Sequence, residues 1–280
     1  MKKIISLSLI LLSYLTYGQE VKPAEKNWHN SGNISIMFNQ ASFDNWLKGG
    51  ENSLALNGLF NHNFNYKKNK SVWDTKLFVA YGLSKINSIT KKTDDRFEIN
   101  SVYGYEASKE WYYSFFTNFK TQMTDGFDYS ATPNVTTSRL FAPAYLDFGP
   151  GMLWKKSDNL RINFAPVASK ITFVLDDTLS AAGAYGVEPG KHLKYGAGMA
   201  VNAYYKFDLM KNVSMENILN LYSDYLDHPE NIDVDYQMNM VMTVNKYISA
   251  NLGINLLYDD NALADLQFKE VFGIGFNAKL

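Results

Sequence analysis

From residue 28 onward the chain alternates apolar and polar side chains with a period of two, in runs of about ten to fourteen residues, as strands with two unlike faces do. In residues 232–244, Ile232, Val234, Tyr236, Met238, Met240, Met242 and Val244 share one face, while Asp233, Asp235, Gln237, Asn239 and Thr243 share the other. Residues 53–66 place Leu54, Leu56, Phe60, Phe64 and Tyr66 opposite Asn57, Asn61, Asn63 and Asn65. Residues 195–207 and 248–258 repeat the pattern, and so does the closing run Phe272, Ile274, Phe276, Ala278 and Leu280. Strands in soluble proteins average about five or six residues, whereas a tilted membrane-spanning strand needs about nine to eleven. Run length therefore favours a transmembrane barrel, apolar side to lipid and polar side to lumen, over a soluble sandwich.

Connection lengths point the same way. Short, turn-like connections fall at residues 67–70, 107–110, 156–159 and 210–212 and around 245–246, and longer polar ones near 40–52, 84–95, 123–143, 175–193, 224–231 and 259–265. Short and long alternate throughout. Together they join twelve antiparallel strands with both termini on the short-turn side, the layout of an outer-membrane barrel. Pro150 and Pro166 interrupt the strands at 145–155 and 160–172, which leaves ten or fourteen strands as alternatives.

Composition removes the competing classes. With 46% hydrophobic, 15% aromatic and 20% charged residues the chain is not disordered. No long apolar run follows residue 15, so it is not a helical membrane protein. The absence of Cys excludes a disulfide framework, a thiolate metal site and a Cys nucleophile. A net charge of -1 carries no polyanion footprint, so no nucleic-acid partner is expected.

Residues 1–18 have the form of an export signal. Lys2 and Lys3 precede an apolar stretch from Ile4 to Leu15, and Thr16, Tyr17 and Gly18 form a small-x-small cleavage site before Gln19. The expected organisation is a signal peptide (1–18), a short polar lead-in (19–27) and a single barrel domain (28–280), in the outer membrane of a Gram-negative bacterium. Trp28, Tyr66, Trp73, Trp111 and Trp154, with Phe207 and Tyr247, fall at the first strand's start or beside a short turn, where they are expected to form an interfacial aromatic girdle.

Residues 43–52, Phe-Asp-Asn-Trp-Leu-Lys-Gly-Gly-Glu-Asn, are followed by the Asn-rich strand, Trp73, Tyr81-Gly82, Lys120-Thr121-Gln122 and Phe148-Gly149-Pro150-Gly151. In these features the chain resembles a Bacteroidota outer-membrane family known only as a domain of unknown function, of the DUF3078 type. The most specific element is the Trp-x-x-Gly-Gly stretch, and the likeness extends over nearly the whole mature chain. The resemblance implies an outer-membrane barrel with no assigned activity. The C-terminus also resembles a barrel-assembly signal, with Gly275 and the terminal Leu280, although Ala278 stands where an aromatic is common. Barrel-assembly machinery is thereby an expected partner, beside outer-membrane lipid.

Candidate chemistry is sparse. Asp224, Asp227, Glu230, Asp233 and Asp235 surround one outer loop with no Lys or Arg among them, and carboxylates of this kind can hold Ca²⁺ or Mg²⁺. Their spacing matches no calcium motif, and a solvated loop and lumen mouth is the simpler reading, as it is for Asp259, Asp260 and Asp265. Lys85, Lys91, Lys92 and Arg96 make the second outer loop basic. Of the four His, His192 near Ser180 and the His228-Pro229-Glu230 run could supply parts of a lipid hydrolase, but no nucleophile elbow, phosphate loop or His-x-x-x-His pair accompanies them. His62 falls on the lipid-facing register of its strand. No catalytic, cofactor or metal-binding residue is assigned.

The loop Trp46-Leu47-Lys48-Gly49-Gly50 is the most motif-like feature: Trp46 offers an anchor for a protein or glycan partner, and Gly49 and Gly50 allow a tight fold over the barrel mouth. The expected lumen is polar and of mixed sign, lined by Asn57, Asn61, Asn63, Glu98, Lys120, Asp147, Lys206, Asp233, Asp235 and Lys269. A narrow passive channel for small polar solutes leads. A plugged barrel acting through its long outer loops is the alternative, and a lipid-modifying enzyme the third reading.

Overall fold

Twelve antiparallel strands close on themselves in the computed structural model, which describes residues 26–42, 51–86 and 89–280. The wall strands are β1 (Trp28–Ala41), β2 (Ser53–Lys68), β3 (Ser71–Ile86), β4 (Ile89–Ser108), β5 (Trp111–Thr121), β8 (Ala144–Ser157), β9 (Leu160–Phe173), β10 (Leu193–Met210), β11 (Val213–Asp224), β12 (Asp233–Thr243), β13 (Ile248–Asp259) and β14 (Leu263–Lys279). Two short strands, β6 (Gly126–Asp128) and β7 (Val135–Ser138), form a separate hairpin in the connection from β5 to β8. Each wall strand pairs with its neighbour in sequence, and the ladder closes where β1 meets β14, from Asn33 opposite Lys279 to Phe38 opposite Ile274. Closure lets the barrel satisfy backbone groups that lipid cannot. The signal segment (1–18) and the Trp46, Gly49, Gly50 loop motif lie outside the described residues.

Alternation fixes which side of each strand faces out. On β1, Ile34, Ile36 and Phe38 point outward and Ser35 and Met37 inward; on β14, Phe272, Ile274 and Phe276 point outward, Phe276 with 69% of its surface exposed. The outer surface is thus apolar and the interior carries the ionic groups, the inverse of a soluble protein and the arrangement of a membrane-spanning barrel. Tight turns link the strands at the end that carries the termini. Lys68 pairs with Ser71, and Met210 with Val213; Asn69 and Asn212 in these turns have φ of 52° and 67°, a left-handed conformation that Asn tolerates well.

At the opposite end one connection differs from the sequence expectation. Residues 84–95 are not a long loop: β3 runs to Ile86 and β4 starts at Ile89, with Ser84 paired to Lys91 and a bulge at Gly82 and Leu83. Ser84, Lys85, Thr90, Lys91 and Lys92 dominate this hairpin and leave Leu83, Ile86 and Ile89 as its apolar residues, so the amphipathic contrast that would mark it as strand is weak. The β13 to β14 connection likewise shrinks, with Asp259 paired to Leu263. The connections from β5 to β8 and from β9 to β10 pack on each other over the mouth. Ala142 and Val174 form a small apolar cluster with Val187 and with Leu179 of a short helix, α1 (Asp177–Ala181), which Asp176 caps by accepting the Leu179 N–H at 2.9 Å. Tyr185 donates its hydroxyl to the Thr137 carbonyl at 2.5 Å, tying this loop to β7.

Candidate functional site

The interior is layered. Toward the turn end, inward side chains of the strands fill it. Val72, Val102, Tyr112, Phe116, Leu153, Ala165, Ala168, Ala200 and Tyr222, from seven different strands, form one buried apolar cluster inside the barrel. Gly104 makes room for it: a Cβ there would lie 2.9 Å from Val72 and 3.0 Å from Tyr112. Beside the cluster sit two buried ion pairs that cross the lumen. Lys76 on β3 meets Glu216 on β11 at 2.6 Å, in ion-pair contact without hydrogen-bond alignment, and Lys155 on β8 meets Asp74 at 2.8 Å. Tyr204 donates to Glu216 at 2.7 Å, Asn65 to Asp74 at 2.6 Å, and Ser114 to Asn163 at 2.6 Å. Lys76, Asp74, Phe78, Phe116, Leu153, Ser35 and Ser249, contributed from around the wall, each expose less than 2% of their surface. Within this layer the lumen narrows to a pocket of about 50 Å³ lined by Asp74, Lys76, Phe116, Leu153, Arg161 and Tyr204.

Above the layer, toward the long loops, the lumen opens into a cavity of about 340 Å³. Cross-lumen pairs ring it. Lys120 on β5 reaches Asp235 on β12 at 2.8 Å, and Lys170 on β9 bridges Asp233 at 2.6 Å and Asp259 at 3.0 Å. Glu98 accepts from Gln237 at 3.0 Å and lies 3.6 Å from Arg96. Two Tyr rings stand among the ammonium groups: Lys120 lies 5.3 Å from the Tyr145 centroid, and Lys170 5.7 Å from Tyr145 and 5.3 Å from Tyr222. Below the layer a smaller vestibule of about 120 Å³ contains Asn63, Arg161 and Lys206.

The ten residues expected to line the lumen all lie on inward registers but do not form one continuous surface. Glu98, Lys120, Asp147, Asp233 and Asp235 belong to the outer cavity; Asn57, Asn61 and Lys269 border a side cavity of about 50 Å³ near β1 to β3 and β14; Asn63 and Lys206 lie in the lower vestibule. Trp28, Tyr66, Trp73, Trp111 and Trp154 are placed on the outer face at the turn end. Trp28 packs against Tyr66 at 4.9 Å and Trp73 at 6.1 Å between ring centroids, and Trp111 pairs directly with Trp154.

The acidic run at residues 224–235 is not a local cluster, because lysines from other strands reach it. Asp227 accepts from Lys194 at 2.8 Å and lies 2.8 Å from His228, and the hydrogen bond from the Lys194 ammonium holds its carboxyl below the usual aspartate range. Asp233, Asp259 and Asp260 do bring carboxylate oxygens within 4.8 Å of one another, with the Lys170 ammonium already between two of them. The His candidates do not assemble a triad. His192 contacts the Val174 carbonyl at 2.9 Å, while the Ser180 hydroxyl donates to the Lys191 carbonyl at 2.7 Å. His62 faces outward between Phe60 and Phe64.

Sequence reading did not single out Asp74, Lys76, Lys155, Glu216 or Lys170. The available signal was two charges of opposite sign, Asp74 and Lys76, on one face of a strand and flanked by Val72 and Phe78.

Residues 38–127, from the outer half of β1 to β6, match the family model described as protein of unknown function (DUF3078). No curated protein matches the chain. Among solved structures, the translocator domain of autotransporter NalP from Neisseria meningitidis is similar at 8% identity and a TM-score of 0.36, over 99% of this chain and 95% of that one. The NanC porin is similar at 8% identity and 0.37, over 89% and 99%. The outer membrane channel DcaP of Acinetobacter baumannii is similar at 9% identity and 0.29, over 90% and 96%. The likeness is to the barrel fold of porins and autotransporter translocators.

Proposed function

We propose that the protein is an outer-membrane barrel closed at mid-lumen by its own side chains, presenting a mixed-charge cup on the loop side that holds a small polar solute. One observation carries this reading: around Lys76, Phe116, Leu153 and their partners the lumen narrows to a pocket of about 50 Å³ between the 340 Å³ cavity and the lower vestibule. The aromatic residues Trp28, Tyr66, Trp73, Trp111 and Trp154 anchor the turn end at the inner interface, and the apolar outer face sits in the hydrocarbon. Residues 1–18 direct export, and assembly machinery inserts the barrel. The narrow passive channel would require the buried layer to move aside, and no part of that layer is a loop or separate domain that could swing away.

Planar-bilayer recording of the detergent-folded protein separates the two. The closed cup predicts a folded, heat-modifiable barrel that produces no conductance steps. Reproducible steps at modest voltage would overturn it and restore the channel.

A further inference from the structure

The vestibule at the turn end is lined chiefly by groups that donate hydrogen bonds. Arg161 on β9 and Lys206 on β10 line it on one side, and Ser31 on β1 and Asn63 on β2 on the other. In the closed ladder β1 lies five strands from β10, and β2 five from β9, so the two sets stand on opposite walls. Neither base has a carboxylate of its own. The Lys206 side chain makes no hydrogen bond or ion pair among the described residues. Glu216, which faces it across the β10–β11 ladder, is already engaged by Lys76 at 2.6 Å and Tyr204 at 2.7 Å. The Arg161 guanidinium lies 4.1 Å from the Tyr204 ring centroid and gives one N–H to the Asp158 carbonyl at 3.3 Å, which leaves most of its donors without a partner in the protein. Asp158, the carboxylate on the vestibule wall, is held by Lys155 at 2.8 Å, and Lys155 also serves Asp74. The vestibule and the ion pairs above it thus set Lys76, Lys155, Arg161 and Lys206 against Asp74, Asp158 and Glu216, and one positive charge is left over.

Asn63 supplies an independent sign of a ligand. It is only 9% exposed and lines the vestibule, yet its side-chain amide makes no hydrogen bond among the described residues. Buried amides are almost always paired, and one left open on a cavity wall, opposite two uncommitted bases, marks where a bound group completes the set. We propose that the vestibule binds a small oxyanion of the phosphate or sulfate type. A tetrahedral oxyanion turns oxygens toward both walls at once, so that Arg161 and Lys206 hold one side while the Asn63 amide and the Ser31 hydroxyl face the other; a planar carboxylate has only two oxygens, on one edge. A space of about 120 Å³ lies below the range of drug-sized sites, which restricts the occupant to a compact ion or to the phosphate end of a slightly larger molecule. Short turns mark the periplasmic end in barrels of this layout, so the anion enters from that side. The inference stands apart from the closed-cup reading, because it concerns only the space below the narrowing.

Calorimetric titration of the full detergent-folded protein at low ionic strength tests the proposal, with sulfate, inorganic phosphate and glycerol 3-phosphate as separate probes. Saturable one-to-one binding of at least one of them is expected, weakened about tenfold by Lys206→Gln and by Arg161→Gln, and by a smaller factor in Asn63→Ala. Lys206→Gln removes a charge that no partner in the protein needs, so this variant should fold, and its heat-modifiability checks that it does. Lys85→Gln combined with Lys91→Gln, at the outer hairpin, should leave the affinity unchanged. Tighter binding of glycerol 3-phosphate than of inorganic phosphate identifies an organic phosphate as the occupant, and the reverse order the free ion; either result supports the site. No saturable binding of any probe overturns the proposal. So does an affinity unchanged in both Lys206→Gln and Arg161→Gln, or one lost in the outer-hairpin variant. Conductance steps in planar bilayers would remove the closed cup and leave this result as it stands.

Discussion

Lys76 shows what an ionic side chain costs when it is buried. Its ammonium is buried, its single strong partner is Glu216 at 2.6 Å, and the Tyr204 hydroxyl serves the same carboxylate. Removing one member of a buried pair strands the other charge, which costs about 3–5 kcal/mol, while replacing both with apolar groups of similar volume is often close to neutral. Lys76→Met should therefore lower stability toward urea by about 3–5 kcal/mol in folded, reconstituted protein. Lys76→Met combined with Glu216→Met should recover most of the loss. If the double variant is as unstable as the single, the pair is not the unit that matters, and Tyr204 or Arg161, 4.1 Å from the Tyr204 ring, has to be tested next.

At the scale of the strand, β14 combines the clearest pattern with one clear violation. Phe268, Phe272, Ile274 and Phe276 face outward, and so does Glu270, opposite Ile254 on β13. A charge on the lipid face destabilises in a depth-dependent way, less for Glu than for Lys or Arg. Glu270→Leu is accordingly expected to stabilise the barrel by about 1 kcal/mol in liposomes and to change little in detergent, where water reaches the carboxylate. A loss of stability in liposomes would mean that Glu270 has a partner in the bilayer. The same alternation made the wall legible from sequence: Leu54 against Asn57, or Met238 against Gln237, sorts inside from outside without reference to any other strand. It failed at residues 84–95, because Ser84, Lys85, Lys91 and Lys92 project beyond the apolar belt and need no dry face. It also could not show the ion pairs. Asp74 and Lys76 were visible as inward charges, but Lys155 is 81 positions from Asp74 in sequence, and only barrel closure brings the two together.

For the molecule as a whole, the proposed closure of the lumen rests on where the cross-lumen ties fall. Lys76 to Glu216, Lys120 to Asp235 and Gln237 to Glu98 each join walls several strands apart, so the barrel is cinched from inside as well as along its ladder. Twelve strands enclose more space than the smallest barrels, whose interior side chains alone fill it, and the cinching together with Phe116 and Leu153 accounts for the narrowing to a pocket of about 50 Å³ here. Narrowing by packed side chains has a specific consequence. Truncating the layer should open a path without dismantling the wall, since the hydrogen-bonded ladder does not depend on it. The combined variant Lys76→Ser, Phe116→Ala and Leu153→Ala is expected to lose several kcal/mol of stability, about 3–5 for the Phe truncation alone, yet still fold and give conductance steps where the parent protein is silent. Lys120→Ala, which alters only the cup above the layer, is expected to stay silent. If the cup variant conducts and the layer variant does not, the constriction lies at Lys120 and Lys170 instead, and the outer cavity is the entrance of a pore.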